Sequence, residues 1–242
     1  MFLTMYGVSG RPFEGQWGLV TGASSGIGRA LALALAEGGA RVIVSGRDAA
    51  RLAAVAAEVG AEAHVLPADL TDADAVARLG EAVAALTGAL DLLVHSAGVV
   101  TLGPVADTRV EDLDLNWSVN LRAPFLLTTR LLPLVRAARG QVVFVNSGAG
   151  LNANPGWGAY AASKHGLKAL ADALRAEVRA DGVRVLSVYP GRTASPMQVA
   201  VKAHEGAPYE PQRLIQPEDV SRMVAQALAL PRTAHVVDVN IR

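Results

Sequence analysis

Short apolar strands alternate with Ala/Leu-rich helices along the whole chain, which predicts an α/β fold: a doubly wound parallel sheet in a single domain. Two further observations support that class. The strands are apolar on both faces, as strands covered by helices on each side must be. A glycine-rich turn, Thr21-Gly22-Ala-Ser24-Ser25-Gly26-Ile27-Gly28, stands between the first strand and the first helix, the arrangement that offers a helix N-terminus to a phosphate.

The bulk numbers agree with one such domain. The 242 residues suffice for a substantial core, and neither a break in composition nor a short repeat divides them. Lys+Arg and Asp+Glu balance at 22 each, so there is no electrostatic case for nucleic acid or an acidic membrane. The chain has no cysteine, which excludes disulfides and Cys-ligated metals. His64, His95, His165, His204 and His235 are scattered without ligand spacing, so no metal site is expected. The first residues have neither a basic lead nor a long apolar run, so no signal peptide is expected and a cytoplasmic protein is the default.

In chain order, residues 1–15 read as an irregular arm and residues 16–242 as the domain. Trp17–Thr21 is a short buried strand. Gly22 allows a sharp turn, Gly26 lets the backbone approach a pyrophosphate, and Gly28 lets the helix from Arg29 to Glu37 sit close to the strand. Arg41–Ser45 is the second strand, followed by Gly46-Arg47-Asp48. An enzyme that uses NAD usually carries an acid here for the ribose 2′-hydroxyl. This chain has Gly46 followed by Arg47, whose guanidinium suits a 2′-phosphate, while Asp48 reads as the N-cap of a helix from Ala49 to Val59. NADP(H) is therefore expected over NAD(H). The alternative is that Arg47 is an exposed loop charge and Asp48 meets the ribose.

Residues 63–66 form a third strand leading to Asp69-Leu70, and Thr71 caps a helix from Asp72 to Leu86. Leu90–Val94 is the fourth strand, leading to His95-Ser96-Ala97-Gly98. Two helices follow, one from Val110 to Leu121 and one from Pro124 to Ala138. Gln141–Val145 is the fifth strand, leading to Asn146-Ser147-Gly148. A helix runs from Gly158 to Arg179, and the sixth strand, Val183–Tyr189, stops at Pro190-Gly191. Residues 193–217 are the longest irregular stretch, rich in proline, and follow the C-terminal end of a strand, where ligands bind in such sheets. They are expected to form a substrate lid; the alternative is a plain surface loop. A helix from Asp219 to Leu230 and a strand from His235 to Val239 end the chain.

Tyr160 and Lys164 are one turn apart on the same helical face. An ammonium near a phenol favours the phenolate, and moving the phenol pKa from ~10 to about 7 takes ~4 kcal/mol. Such a tyrosine exchanges protons at neutral pH. Alone, the pair reads first as a snorkelling lysine beside a half-buried tyrosine.

Together, Thr21-Gly-x3-Gly26-Ile27-Gly28, Asp69, Asn120, Ser147, Tyr160-x3-Lys164 and Pro190-Gly191 resemble the short-chain dehydrogenase/reductase family over residues 16–200, with Ser147 thirteen residues before Tyr160. The resemblance implies a Rossmann-like sheet and a set of roles. Tyr160 is the general acid or base. Lys164 lowers its pKa and binds the nicotinamide ribose. Ser147 bonds the substrate oxygen, and Asn120 holds a water linking Lys164 to solvent. Asp69 and Leu70 flank the adenine, Ala97 and Gly98 meet the cofactor, and Pro190, Gly191 and Thr193 line the nicotinamide pocket. Trp117 and Trp157 read mainly as packing, although Trp157 is close enough to Tyr160 to line a cleft; Met197 and Tyr209 are minor candidates in the lid.

Two departures stand out. His95 replaces the family's usual asparagine, which ties neighbouring strands, so His95 or a neighbour must supply that bond. The chain also lacks the Asp-Gly-Gly segment common near the last strand, which lowers the odds of a 3-oxoacyl-carrier-protein reductase. The expected activity is interconversion of a carbonyl and a secondary alcohol of a small organic substrate with NADP(H). The second reading is a non-catalytic NADP(H)-binding sensor or scaffold. A homodimer or homotetramer through the long helices is expected.

Overall fold

The computed structural model describes residues 10–242. Residues 1–9, most of the expected arm, lie outside the described residues. Residues 10–15 form turns, and Phe13 is buried in the core with its backbone N–H donating to the Gly38 carbonyl at 2.8 Å. This end of the expected arm is thus part of the fold.

Among the described residues, seven parallel strands form one sheet: β1 (Trp17–Thr21), β2 (Arg41–Ser45), β3 (Ala63–Val65), β4 (Leu92–His95), β5 (Gln141–Val145), β6 (Arg184–Pro190) and β7 (Asp238–Ile241). Their spatial order is β3-β2-β1-β4-β5-β6-β7, the doubly wound topology the alternation predicts. Helices α1 (Gly26–Glu37), α2 (Ala49–Val59) and α8 (Pro217–Ala229) cover one face. Helices α3 (Ala73–Leu86), α5 (Ala123–Ala137) and α6 (Gly158–Glu177) cover the other. Alternation within a strand feeds both layers: Leu93 packs under α5 and α6, whereas Leu92 and Val94 pack under α1 and α8. The register sets Thr21 beside His95 and His95 beside Phe144, so the loops after β1, β4 and β5 emerge together at one sheet edge.

The structure corrects several boundaries. The two expected helices from Val110 to Ala138 are one continuous run: α4 (Val110–Trp117), a π-helical turn at Ser118–Arg122, then α5. Pro124 has no N–H to bond back to the Asn120 carbonyl, and the wider π turn accommodates the gap without breaking the helix. Asp72, not Thr71, caps α3, accepting from the Asp74 N–H at 2.8 Å. The stretch 193–217 is not wholly irregular; it contains α7 (Pro196–His204), whose cap Ser195 accepts from the Gln198 N–H at 3.3 Å. The Ser-Pro pair at its start is an N-cap followed by an N1 proline. The last strand begins at Asp238, three residues later than expected; before it, the Val237 carbonyl accepts from the Ser187 N–H at 2.9 Å and from the Arg175 side chain at 3.2 Å, and the His235 ring lies 3.3 Å from the Val185 carbonyl.

Candidate active site

A cleft of about 1060 Å³ opens at the C-terminal edge of the sheet, over the switch point between β1 and β4. Its floor depends on close backbone approaches. Gly22 has φ +68°, and a Cβ there would lie 2.6 Å from the Ala97 Cα. A Cβ on Gly28 would lie 2.3 Å from the Gly22 carbonyl oxygen, so no larger residue lets α1 start so near β1. The Thr21 hydroxyl accepts from the backbone N–H groups of Ser96 and Ala97 at 3.2 and 3.3 Å and donates to the Val94 carbonyl at 3.3 Å. Thr21 therefore supplies the strand-to-strand bond that the missing asparagine leaves open. His95 lies behind the cleft, stacked on Phe144 at 5.0 Å, with Nε2 2.8 Å from the Thr128 hydroxyl. Burial pushes its pKa down to about 3, so it packs as a neutral ring.

Asn146, which the sequence did not single out, joins β5 to α6. Its Oδ1 accepts from the Ser147 N–H at 2.8 Å and its Nδ2 donates to the Lys164 carbonyl at 3.1 Å. Ser147, Tyr160 and Lys164 consequently share one wall of the cleft. Lys164 is buried and donates from Nζ to the Val145 carbonyl at 3.0 Å. An ammonium has three N–H donors, so Val145 leaves two of them for a ligand. Burial lowers the Lys164 pKa to about 8. Burial also raises the Tyr160 pKa, and a hydrogen bond with Ser147 opposes that rise. This corrects the expected acidified phenol. Nζ lies 5.9 Å from the tyrosine ring centroid, and desolvation dominates.

Of the residues given a catalytic or cofactor-binding role, Asn120 alone does not line the cleft. Fully buried in the π turn, it accepts from the Val99 N–H at 2.9 Å, donates to the Val99 carbonyl at 2.9 Å, and reaches the Ser163 hydroxyl at 3.0 Å. It braces the loop after β4 against α6.

At the other end of the cleft, Arg47 is exposed on the lining, while Asp48 is already engaged. The Asp48 carboxylate accepts from the Arg51 N–H at 3.0 Å and pairs with the Arg51 guanidinium at 3.1 Å. That favours Arg47 over Asp48 as the group free to meet a ribose substituent. Asp69 accepts from the Thr71 N–H and hydroxyl at 2.9 and 2.8 Å, and Leu70 provides a buried apolar surface beside it. Ser24, Ser25, Gly26 and Ile27 line the turn side; Gly98, Pro190, Gly191 and Thr193 line the far side. Thr193 donates to the Gly191 carbonyl at 3.1 Å. Met197 and Trp157 also line the cleft; Tyr209 and Trp117 do not.

Sequence reasoning missed Arg192, Asn154 and Gln198, all on the lining. Gln198 Nε2 is buried with no hydrogen-bond partner among the described residues. A glycine-built phosphate cradle, a buried ammonium with donors to spare and a side-chain donor left unpaired fit a dinucleotide. Among the described residues no group of three His, Cys, Asp or Glu side chains could hold a metal ion.

Residues 16–206 match the family model described as short chain dehydrogenase. The chain belongs to that family. As a short-chain dehydrogenase it is an oxidoreductase by class. An uncharacterized short-chain type dehydrogenase/reductase of Sinorhizobium fredii is 34% identical over 231 residues, covering 92% of this chain and 89% of that protein. The crystal structure of a metagenomic short-chain oxidoreductase in complex with NADP aligns at a TM-score of 0.83 and 34% identity, covering 96% and 98% of the two chains. A Brucella melitensis 3-ketoacyl-(acyl-carrier-protein) reductase complexed with NADH aligns at 0.85 and 27%, covering 95% and 97%.

The buried imidazole makes a prediction for this dehydrogenase. The folded pKa of His95 lies below the unfolded value of 6.5, so the unfolded chain takes up the proton first. The stability that follows is present above about pH 6.5 and is lost as the pH falls toward 3. Between pH 7 and 5 this single group accounts for roughly 2 kcal/mol. His95→Asn should flatten that part of the acid limb in urea unfolding followed from pH 7 to 5; a variant slope equal to the wild-type slope refutes the assignment.

Proposed function

We propose that this protein is an NADP(H)-dependent oxidoreductase that interconverts a carbonyl and a secondary alcohol of a small organic substrate. The observation that carries the proposal is the convergence of Ser147, Tyr160 and Lys164 on one cleft wall, across from the glycine turn. When bound, the nicotinamide supplies or accepts the hydride. The side chains do the rest. Tyr160 gives its hydroxyl proton to the substrate oxygen, and Ser147 donates a second hydrogen bond to the same oxygen, where negative charge develops in reduction. Burial keeps the phenol protonated at neutral pH, the form that reduction needs; oxidation needs its anion and gains as the pH rises. Lys164 holds the ribose hydroxyls with the donors Val145 leaves free, and its charge favours the tyrosinate as the proton departs.

Arg47 binds the 2′-phosphate of NADP(H). The engagement of Asp48 in its own helix supports this, as does the NADP complex of the metagenomic relative; the Brucella reductase with NADH is a relative crystallised with the other form. Thr193 positions the carboxamide, Asp69 and Leu70 flank the adenine, and residues 193–217 act as the substrate lid. A sensor or scaffold would gain nothing from burying an ammonium beside a phenol, so the catalytic reading is preferred. Val110, Leu113, Trp117 and Phe125 form an exposed apolar stripe along the α4–α5 run, and we assign it to a homo-oligomer contact.

Tyr160→Phe should lower kcat for carbonyl reduction by about 10²–10⁴, the usual share of a general acid. NADPH affinity, read from fluorescence titration, should fall far less; near-normal turnover removes Tyr160 as the acid. Arg47→Ala should shift the ratio of kcat/KM for NADPH over NADH about tenfold toward NADH. An unchanged ratio places the 2′-phosphate elsewhere.

A further inference from the structure

An unbroken line of side chains crosses the substrate end of the cleft. Trp157, just before α6, stands edge-on to Tyr160, with ring centroids 5.9 Å apart and planes at 65°. Arg192 places its guanidinium carbon 5.9 Å from the Trp157 ring centroid. The same guanidinium grips Glu205, at the C-cap of α7, in a two-point pair: Nη1 to Oε2 at 2.8 Å and Nη2 to Oε1 at 2.5 Å. Lys202 Nζ lies 3.5 Å from Glu205 on the same helix, off the cleft lining. The lid is thus tied across the cleft mouth to the wall that carries Tyr160.

The tie has a chemical consequence. Apart from Lys164, Arg192 is the charged side chain lining this end among the described residues; the lining also includes Val100, Leu115, Trp157, Met197 and Val201, with Asn154 and Gln198 as uncharged polar groups. A guanidinium recognises a carboxylate best through two parallel N–H bonds. Glu205 already takes one N–H of each terminal nitrogen, the end-on fork, and offsets the charge. A substrate carboxylate arriving there meets an engaged fork and a like charge, whereas an uncharged flat body meets an indole and aliphatic side chains.

We propose that Glu205 stands in for a substrate carboxylate on Arg192, so that the cleft selects uncharged ketones and alcohols with a flat apolar body and turns away their carboxylate-bearing analogues. The selection is by exclusion: an internal anion spends the recognition group that a competitor would use. This rests on the oxidoreductase reading above and names its substrate class.

A matched pair tests it: methyl 4-acetylbenzoate and 4-acetylbenzoate, which share a ketone and differ by one charge at the far end of the ring. Wild type should favour the ester about tenfold or more in kcat/KM. Glu205→Gln frees the guanidinium and should shrink that preference about fivefold or more, through a gain for the acid. Adding Arg192→Gln to Glu205→Gln should abolish the gain. A wild-type preference for the acid, a smaller shift in Glu205→Gln, or a gain that survives loss of Arg192 overturns the proposal. The same ratios, read by calorimetry from dissociation constants in the presence of NADP⁺, require no turnover and decide the case if neither ketone is reduced. A wild type that binds neither compound also overturns it. Binding ratios as expected without turnover count against the oxidoreductase reading alone; turnover with a flat ratio counts against the charge filter alone.

Discussion

The ammonium of Lys164 is out of water, and much of the site is arranged around that fact. Burying a charge is costly unless it is paired or hydrogen-bonded. Among the described residues the ammonium meets one hydrogen-bond acceptor, the Val145 carbonyl, and burial lowers the lysine pKa to about 8. Position is what the fold secures. Asn146 fastens the Lys164 carbonyl and the Ser147 N–H to the end of β5, so α6 cannot shift without carrying Ser147 with it. The same helix carries Tyr160, and the π turn that holds Asn120 braces its other side through Ser163. A site held this firmly by backbone bonds keeps its donors aimed before any ligand arrives, which is the condition for electrostatic stabilisation of a developing oxyanion.

Opposite this wall, the glycine turn works by absence. Where Gly22 and Gly28 stand, side chains would collide with the Ala97 backbone and the Gly22 carbonyl, so the turn after β1 lies against the loop after β4, and α1 against that turn, only because those positions are bare. Thr21 then fastens the two loops by accepting from the Ser96 and Ala97 N–H groups. The cleft is bounded by two strand ends, while α7 on its third side is joined to the segment after β6 by the Arg192–Glu205 pair, and that segment to Ile215 by backbone bonds.

Features dictated by local rules were legible in the sequence. The strands Trp17–Thr21, Arg41–Ser45 and Gln141–Val145 were read to the residue, because continuous apolar runs bounded by glycine or charge leave little choice. The helix Ala49–Val59 was equally clear from its Asp48 cap. The residues assigned to the cofactor all line one cleft, since their spacing follows the ends of successive strands. What was hidden depends on partners distant in sequence. The proline at 124 suggested a break, yet packing on both sides holds the helix together through a π turn. Phe13 looked like part of a loose arm until Gly38 made room for it. The phenol's ionisation was misjudged for the same reason: burial is a property of the assembled layers, and it outweighs a cation one turn away. Arg192 and Glu205, thirteen residues apart with a helix between them, show no local pattern of pairing.

The central claim is that the buried Lys164 ammonium is completed by the cofactor. Binding should then require the protonated amine and hold its proton more tightly. Tyr160, the titrating neighbour on the same helix, is pushed above its ordinary value by burial and stays protonated through this range. The direct measurement is the NADPH dissociation constant, by fluorescence titration, from about pH 7 to 9.5 in wild type and Lys164→Met. The account predicts wild-type affinity that weakens as the pH rises through about 8, and no such inflection in the variant. A flat wild-type profile, or the same inflection with methionine in place, would contradict it.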